Sequence, residues 1–90
     1  MATQRYQLVA DVRSADAGAI EPVLRQLVGD AVTPTEDGFH VTATLTGPSA
    51  RELNRALLSA LRRVERRTRL RATWTANGVS ARFFDYVPKG

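Results

Sequence analysis

Apolar and polar residues alternate along several short stretches of this chain, which is the period of a half-buried strand. Five stretches show the alternation: residues 5–13, 31–36, 39–46, 69–76 and 79–87. Val9 breaks the pattern, because it places an apolar residue on an otherwise polar face. In the second stretch Pro34 cannot donate to a ladder, so this weak strand is predicted at a sheet edge. The alternation thus predicts five strands.

A long amphipathic helix is predicted after residue 48. The apolar residues recur at three- and four-residue steps and form one stripe: Ala50, Leu53, Leu57, Ala60, Leu61 and Val64. Ser49 followed by Glu52 fits a capping box, and Pro48 at the first helical position with Gly47 as the cap is the alternative start. Four arginines lie towards the carboxyl end, where the helix dipole favours cations: Arg62, Arg63, Arg66 and Arg67.

A shorter helical pattern precedes the second strand. Its apolar positions are Ile20, Val23, Leu24, Leu27 and Val28. Proline is tolerated in a first turn, so Pro22 indicates a helix start near Gly18 or Ala19. Gly29 is a typical stop signal.

Asn77-Gly78 is a strong signal for a two-residue hairpin turn, and such a turn fixes the register of the strands around it. The predicted pairs on the inner face are Ala76 with Val79, Trp74 with Ala81, Ala72 with Phe83, and Leu70 with Asp85. The predicted pairs on the outer face are Arg71 with Phe84, and Arg69 with Tyr86. Large residues face small ones at two successive inner pairs, as expected beneath a helix.

The order strand, helix, strand, strand, helix, strand, with one further strand, resembles the ferredoxin-like α/β plait as found in small bacterial domains. The resemblance is one of topology and covers nearly the whole chain. It implies an α+β two-layer fold with the antiparallel sheet order 4-1-3-2 and the fifth strand beside the fourth. Both helices would cover one sheet face. Ninety residues form one domain, 1–90, in which residues 1–4 and 88–90 are expected to fray.

The composition indicates more about the cellular compartment of the protein than about its function. The net charge is +4, from twelve Arg and one Lys against nine acidic residues. Such an excess of Arg over Lys favours the codon usage of a GC-rich genome over selection for phosphate contacts. The chain contains no Cys, no long apolar run and no signal-peptide pattern at its start, so a cytoplasmic domain without a membrane span is predicted.

The catalytic inventory is small, and we predict a non-enzymatic domain without metal or cofactor. His40 is the single histidine, and the pattern favours a partly exposed strand residue over a catalytic base. The glycines form neither a phosphate loop nor a dinucleotide fingerprint. A small-molecule cleft using Tyr86, His40 and nearby arginines remains a third hypothesis, although nothing in the spacing assembles these groups.

The uncovered face of the sheet is the first candidate for an interaction surface. Its candidate residues are His40, Arg69, Arg71, Arg82, Phe84 and Tyr86. Exposed aromatics beside arginines indicate an interface and permit cation-π contacts. The partner is not identified by the sequence; self-association as a homodimer, through this face or through a strand edge, is the first hypothesis.

Nucleic-acid binding is the alternative function. It would use Arg62, Arg63, Arg66 and Arg67 as phosphate contacts together with the aromatics of the sheet face. The competing interpretation of these arginines is a solvated helix end supported by Glu65. RNA-recognition domains of this topology carry aromatics on their first and third strands, and here those positions are polar or aliphatic apart from His40. Nucleic acid is therefore the weaker hypothesis.

Overall fold

Two helices and five strands follow one another along residues 3–29 and 31–84, the part of the chain that the computed structural model describes. The helices are α1 (Ala17–Val28) and α2 (Ala50–Val64). The strands are β1 (Gln4–Arg13), β2 (Val32–Pro34), β3 (Gly38–Gly47), β4 (Arg69–Ala76) and β5 (Val79–Phe84). Strand β1 thus includes Gln4, which was expected to fray, whereas residues 88–90 lie outside the described residues.

All five strands form one antiparallel sheet of order β2-β3-β1-β4-β5. Taken from the other edge, this is the predicted order 4-1-3-2 with the fifth strand beside the fourth. The ferredoxin-like topology with an added carboxyl-terminal strand is therefore confirmed. Pro34 ends the short edge strand β2, which agrees with its missing backbone donor.

The hydrophobic core lies between the sheet and the two helices. Its buried members come from every strand except β5, and from both helices: Leu8, Ala10, Val12, Ile20, Leu24, Val28, Val32, Phe39, Val41, Leu57, Leu61, Leu70, Ala72 and Trp74. Trp74 is fully buried, and its ring meets Tyr6 edge-on at 6.5 Å between centroids. Its indole Nε1–H donates to Asn54 Oδ1 at 3.1 Å, so the one polar atom of this large side chain is satisfied.

The β4–β5 hairpin has the predicted register. Asn77 and Gly78 both have positive φ, 53° and 77°, as a type I′ turn requires. Ala76 lies opposite Val79, Trp74 opposite Ala81, Ala72 opposite Phe83, and Arg71 opposite Phe84. The two remaining predicted pairs involve Asp85 and Tyr86, which lie outside the described residues.

Helix α1 begins one or two residues earlier than predicted. Asp16 is its cap and accepts from the Ala19 N–H at 3.2 Å. Pro22 consequently lies inside the helix rather than in its first turn, where it has no N–H to donate to the carbonyl four residues before it. Gly29, at φ 82°, follows the last helical residue as predicted.

Helix α2 begins with the capping-box residue Ser49, whose hydroxyl accepts from the Glu52 N–H at 3.1 Å. It ends at Val64, which is 42% exposed and not part of the core. Arg66 and Arg67 therefore lie beyond the helix, in the turn to β4, and not in its last turn as predicted. Neither described helix is long and apolar enough to cross a membrane.

Candidate functional site

Both helices lie on one face of the sheet, and the opposite face carries the side chains that alternate with the core. The exposed ones near the middle of the sheet include Val9, Asp11, Thr42 and Arg71. His40 and Thr73 are half-buried between their neighbours. No described element covers this open face, so the predicted geometry of two helices on one side is confirmed for residues 3–29 and 31–84.

A polar row crosses the open face, with one residue from each of four strands. In register order the row is Thr33, His40, Asp11 and Arg71, and the backbone of Phe84 on β5 is paired with Arg71. His40 Nδ1 lies 2.9 Å from Asp11 Oδ1, and the two side chains are 43% and 61% exposed. The sequence placed both on this face but could not pair them, because they are 29 positions apart and belong to strands whose register is set over a long distance.

The contact with Asp11 orients the imidazole of His40 on the open face. Because Nδ1 is engaged by the carboxylate, the second ring nitrogen, Nε2, is the one that can contact a ligand or partner. Within the described residues, no three His, Asp or Glu side chains come together as metal ligands. The pair can thus offer one oriented polar atom to a partner.

The residues predicted for the interaction surface are partly brought together. His40 and Arg71 flank Asp11 in the polar row, and exposed Arg82 lies opposite Thr73 in the next row. Arg69 lies further along, at the first position of β4. The side chain of Phe84 and the whole of Tyr86 are outside the described residues, so their stacking on Arg71 and Arg69 stays a prediction.

The four arginines predicted as phosphate contacts do not form one helical patch. Arg62 Nε donates to the Thr68 carbonyl at 3.1 Å, so this side chain holds the α2–β4 turn. Arg63 is exposed in the last turn of α2, whereas Arg66 and Arg67 follow the helix. Because the helix ends at Val64, the group is split between a structural contact, a helix surface and a turn.

A cleft of about 480 Å³ opens at one end of the sheet, and its arginines come from three separate segments. It is lined by Arg13, Ser14, Ala15, Asp37, Arg67 and Arg69. Arg13 and Arg69 are directly opposite each other on β1 and β4, and Arg13 Nε contacts Asp37 Oδ2 at 3.2 Å. Sequence reasoning missed Arg13 as a site residue, because only the β1–β4 register places it beside Arg69.

The two edges of the sheet differ in length and chemistry. Edge strand β2 has three residues and ends with Pro34. Edge strand β5 has six residues without proline, and Val79 at its start is 70% exposed. Short length and proline are common devices against edge pairing. Among the described residues, β2 has both devices and β5 has neither.

No protein-family model matches this chain, and neither does any curated protein or solved structure. The ferredoxin-like topology supports many unrelated functions, so it does not select one. The function is therefore argued from the open face, the cleft and the β5 edge.

Proposed function

We propose that this domain is a protein-interaction module that self-associates by pairing the β5 edges of two copies. The observation that carries the proposal is the contrast between the protected edge β2 and the open edge β5. An unpaired strand presents a row of backbone N–H and C=O groups that another strand can satisfy. Strand β5 of a second copy has the same open edge, so it is the strand that we propose as the partner.

The hairpin register tells which backbone groups of β5 face outwards. The pair flanking a two-residue turn exchanges both of its backbone hydrogen bonds, and such pairs alternate along the ladder. Val79, Ala81 and Phe83 therefore bond to β4. Ser80 and Arg82 direct their N–H and C=O groups to the free edge, where they are available to a second strand.

Side-chain complementarity favours one register for a two-fold pair centred on Ala81. In that register Val79, which is 70% exposed, lies opposite Phe83 of the second copy, and Ser80 lies opposite its Arg82. A pair centred on Arg82 would instead place two arginines directly opposite each other, which is destabilising. The Ala81-centred pair gives a continuous sheet of ten strands, with the open faces of both copies on the same side.

In the proposed dimer, the open faces of the two copies form one larger surface. Among the described residues of the open face, Val9 is the only large apolar residue that is exposed, at 48%. A face carrying Asp11, His40 and Arg71 is too polar to drive face-to-face dimerisation, since each buried charge would need a partner. The polar face is better suited to contact a further, polar partner.

Size-exclusion chromatography with light scattering, over a range of concentrations, tests the proposal. We expect a mass approaching twice that of the 9.9 kDa chain as the concentration rises. Arg82→Pro removes an outward N–H without removing a bond to β4, and should give a monomer. Arg82→Ala loses the same side chain but keeps the N–H, and should still dimerise.

A wild-type chain that stays monomeric at high concentration would contradict the proposal, as would an Arg82→Pro variant that dimerises normally. Circular dichroism of each variant verifies that the fold is retained. Val79→Lys provides a second test, because it places a cation opposite Phe83 of the other copy and should weaken the dimer.

A further inference from the structure

The cleft at the end of the open face contains more positive charge than the described residues around it neutralise. Arg13 and Arg69 are partners in the β1–β4 register, so their Cβ atoms are about 5 Å apart. Like charges directly opposite each other on neighbouring strands are destabilising unless an anion lies between them. Arg67 adds a third cation from the α2–β4 turn.

Asp37 is the carboxylate that lines this cleft, and it neutralises one of the three cations. Its contact is with Arg13 Nε at 3.2 Å, and both side chains are more than half exposed. Neither Arg67 nor Arg69 makes an ion pair with a residue in 3–29 or 31–84. Three arginines and one aspartate leave the cleft with a formal charge of about +2, which matches the −1.5 to −2 of a phosphate monoester at neutral pH.

Ser14 contributes an uncommitted hydroxyl donor to the same cleft. Its Oγ accepts from the Asp16 N–H at 3.2 Å and from Thr68 Oγ1 at 3.4 Å, and Thr68 is fully buried behind it. Both lone pairs of the oxygen are therefore used, and the hydroxyl hydrogen has no acceptor within the described residues. An anion in the cleft would supply that acceptor.

Hydrogen bonds to the backbone hold the walls of the cleft in place. The Ser14 N–H donates to the Asp37 carbonyl at 3.1 Å, which ties the end of β1 to the β2–β3 turn. On the other side, Glu65 Oε1 accepts from the Arg67 N–H at 2.9 Å, and Arg62 holds the Thr68 carbonyl. The arginines thus project from a fixed backbone, which lowers the conformational cost of binding.

We propose that this cleft binds a phosphate monoester, with Arg13, Arg67 and Arg69 as charged donors and the Ser14 hydroxyl as a neutral one. Arginine suits this ligand because its planar group donates two parallel hydrogen bonds to phosphate oxygens. A volume of about 480 Å³ holds the phosphoryl group together with part of the molecule that carries it. The proposal is independent of self-association through β5.

The test is a titration of the full chain followed by ¹H–¹⁵N correlation spectra, with inorganic phosphate, AMP and adenosine as probes. Phosphate and AMP should give saturable shifts at Ser14, Ala15, Arg67 and Arg69, and adenosine should give none there. The Arg69→Gln variant should bind AMP about tenfold more weakly, as expected for the loss of a charge-assisted hydrogen bond.

Arg5→Gln is the matched control, because Arg5 lies on the same face of the sheet as Arg69, on β1 at the end opposite Arg13, facing Thr46. It removes the same unit of charge and should leave AMP affinity within about twofold, the size expected of a distant surface charge. Equal weakening by Arg5→Gln and Arg69→Gln would overturn the proposal, since attraction to net charge alone would explain both.

A single-stranded oligonucleotide without terminal phosphates distinguishes the two sources of a phosphoryl group. Its internal diesters carry one charge each, so weaker binding per phosphate than that of AMP supports a monoester site. Tight oligonucleotide binding with a steep salt dependence, without saturable binding of AMP, would overturn the proposal in favour of a nucleic-acid surface. An absence of shifts at the four cleft residues with any probe would overturn it as well.

Discussion

The two faces of this sheet are built by the same strands but contribute differently to the molecule. On the covered face Leu8, Val41 and Trp74 are at most 1% exposed. On the open face the neighbouring residues Val9 and His40 keep roughly half of their side-chain surface in solvent. Adjacent positions on one strand therefore experience an apolar interior and water, respectively.

This difference indicates where the fold derives its stability. Burial of apolar area stabilises a fold by about 25 cal/mol per Å². The residues of the covered face are buried and contribute this stabilisation, whereas those of the open face do not. Both side chains of the His40–Asp11 pair are more than two-fifths exposed, and even an ion pair contributes only about 0–1 kcal/mol at such a position. Open-face residues can consequently vary without loss of the fold, which leaves them available for binding.

The largest effect should come from truncating the central side chain of the covered face. Trp74→Ala leaves a cavity and should lower the free energy of unfolding by about 3–5 kcal/mol. Val9→Ala, on the open face of the adjacent strand, should lower it by less than about 1 kcal/mol. Urea denaturation measures both values. Similar losses for the two variants would contradict the division between the faces.

If Trp74→Ala does not fold, Trp74→Phe decides the same point. The smaller ring keeps most of the packing but lacks the indole N–H. Trp74→Phe should therefore lower the free energy of unfolding by less than Trp74→Ala and by more than Val9→Ala. A Trp74→Phe variant as stable as the wild type would contradict tight packing around this residue.

A second test compares two glycines in different surroundings. A Cβ at Gly38 would lie 1.8 Å from the Val12 carbonyl oxygen, where β3 approaches the backbone of β1. Gly38→Ala should therefore destabilise the domain by about 2–3 kcal/mol, since backbone cannot move aside as a side chain can. Thermal unfolding measures the change.

Gly18 is the matched control for this substitution. A Cβ there meets nothing nearer than Asp16 Oδ1 at 4.0 Å, and the position is exposed in the first turn of α1. Gly18→Ala should stabilise the protein by up to about 1 kcal/mol through helix propensity. A neutral Gly38→Ala would show that β1 and β3 tolerate a wider separation than the structure has.

The third test concerns the hydrogen bond that the buried Trp74 side chain donates to Asn54 on the covered face. Asn54→Ala removes the acceptor of the buried Trp74 N–H and should lower stability by about 1–2 kcal/mol. Asn54→Asp retains an oxygen acceptor and should lose less. Denaturant midpoints compare the two variants, and equal losses would contradict a stabilising hydrogen bond from the Trp74 N–H to an oxygen at position 54.

The sequence predicted the parts of this fold that depend on local chemistry. Asn77-Gly78 fixed the β4–β5 register, because a two-residue turn leaves one in-face pairing. Ser49 marked the start of α2, and Pro34 placed β2 at an edge. Helix ends were less accurate: α1 was predicted to start near Gly18 or Ala19, but the cap at Asp16 starts it at Ala17, which leaves Pro22 inside the helix.

The candidate sites could not be predicted in the same way, because they depend on registers set over long distances. The contact between Asp11 and His40 requires the β1–β3 register, and the Arg13–Arg69 pair requires the β1–β4 register. Periodicity gives the face on which a residue lies but not its position along the neighbouring strand. The cleft further requires α2 to end at Val64, which brings Arg67 to the sheet.

The smallest effect should appear in a double-mutant cycle on the open face. Asp11→Ala, His40→Ala and the double variant give the coupling energy of this pair from three denaturation curves and the wild type. Because the atoms are 2.9 Å apart but solvent screens them, we expect a coupling below about 1 kcal/mol. A coupling above about 2 kcal/mol would place the pair in a desolvated environment, which would show that a partner or another part of the chain covers the open face in solution.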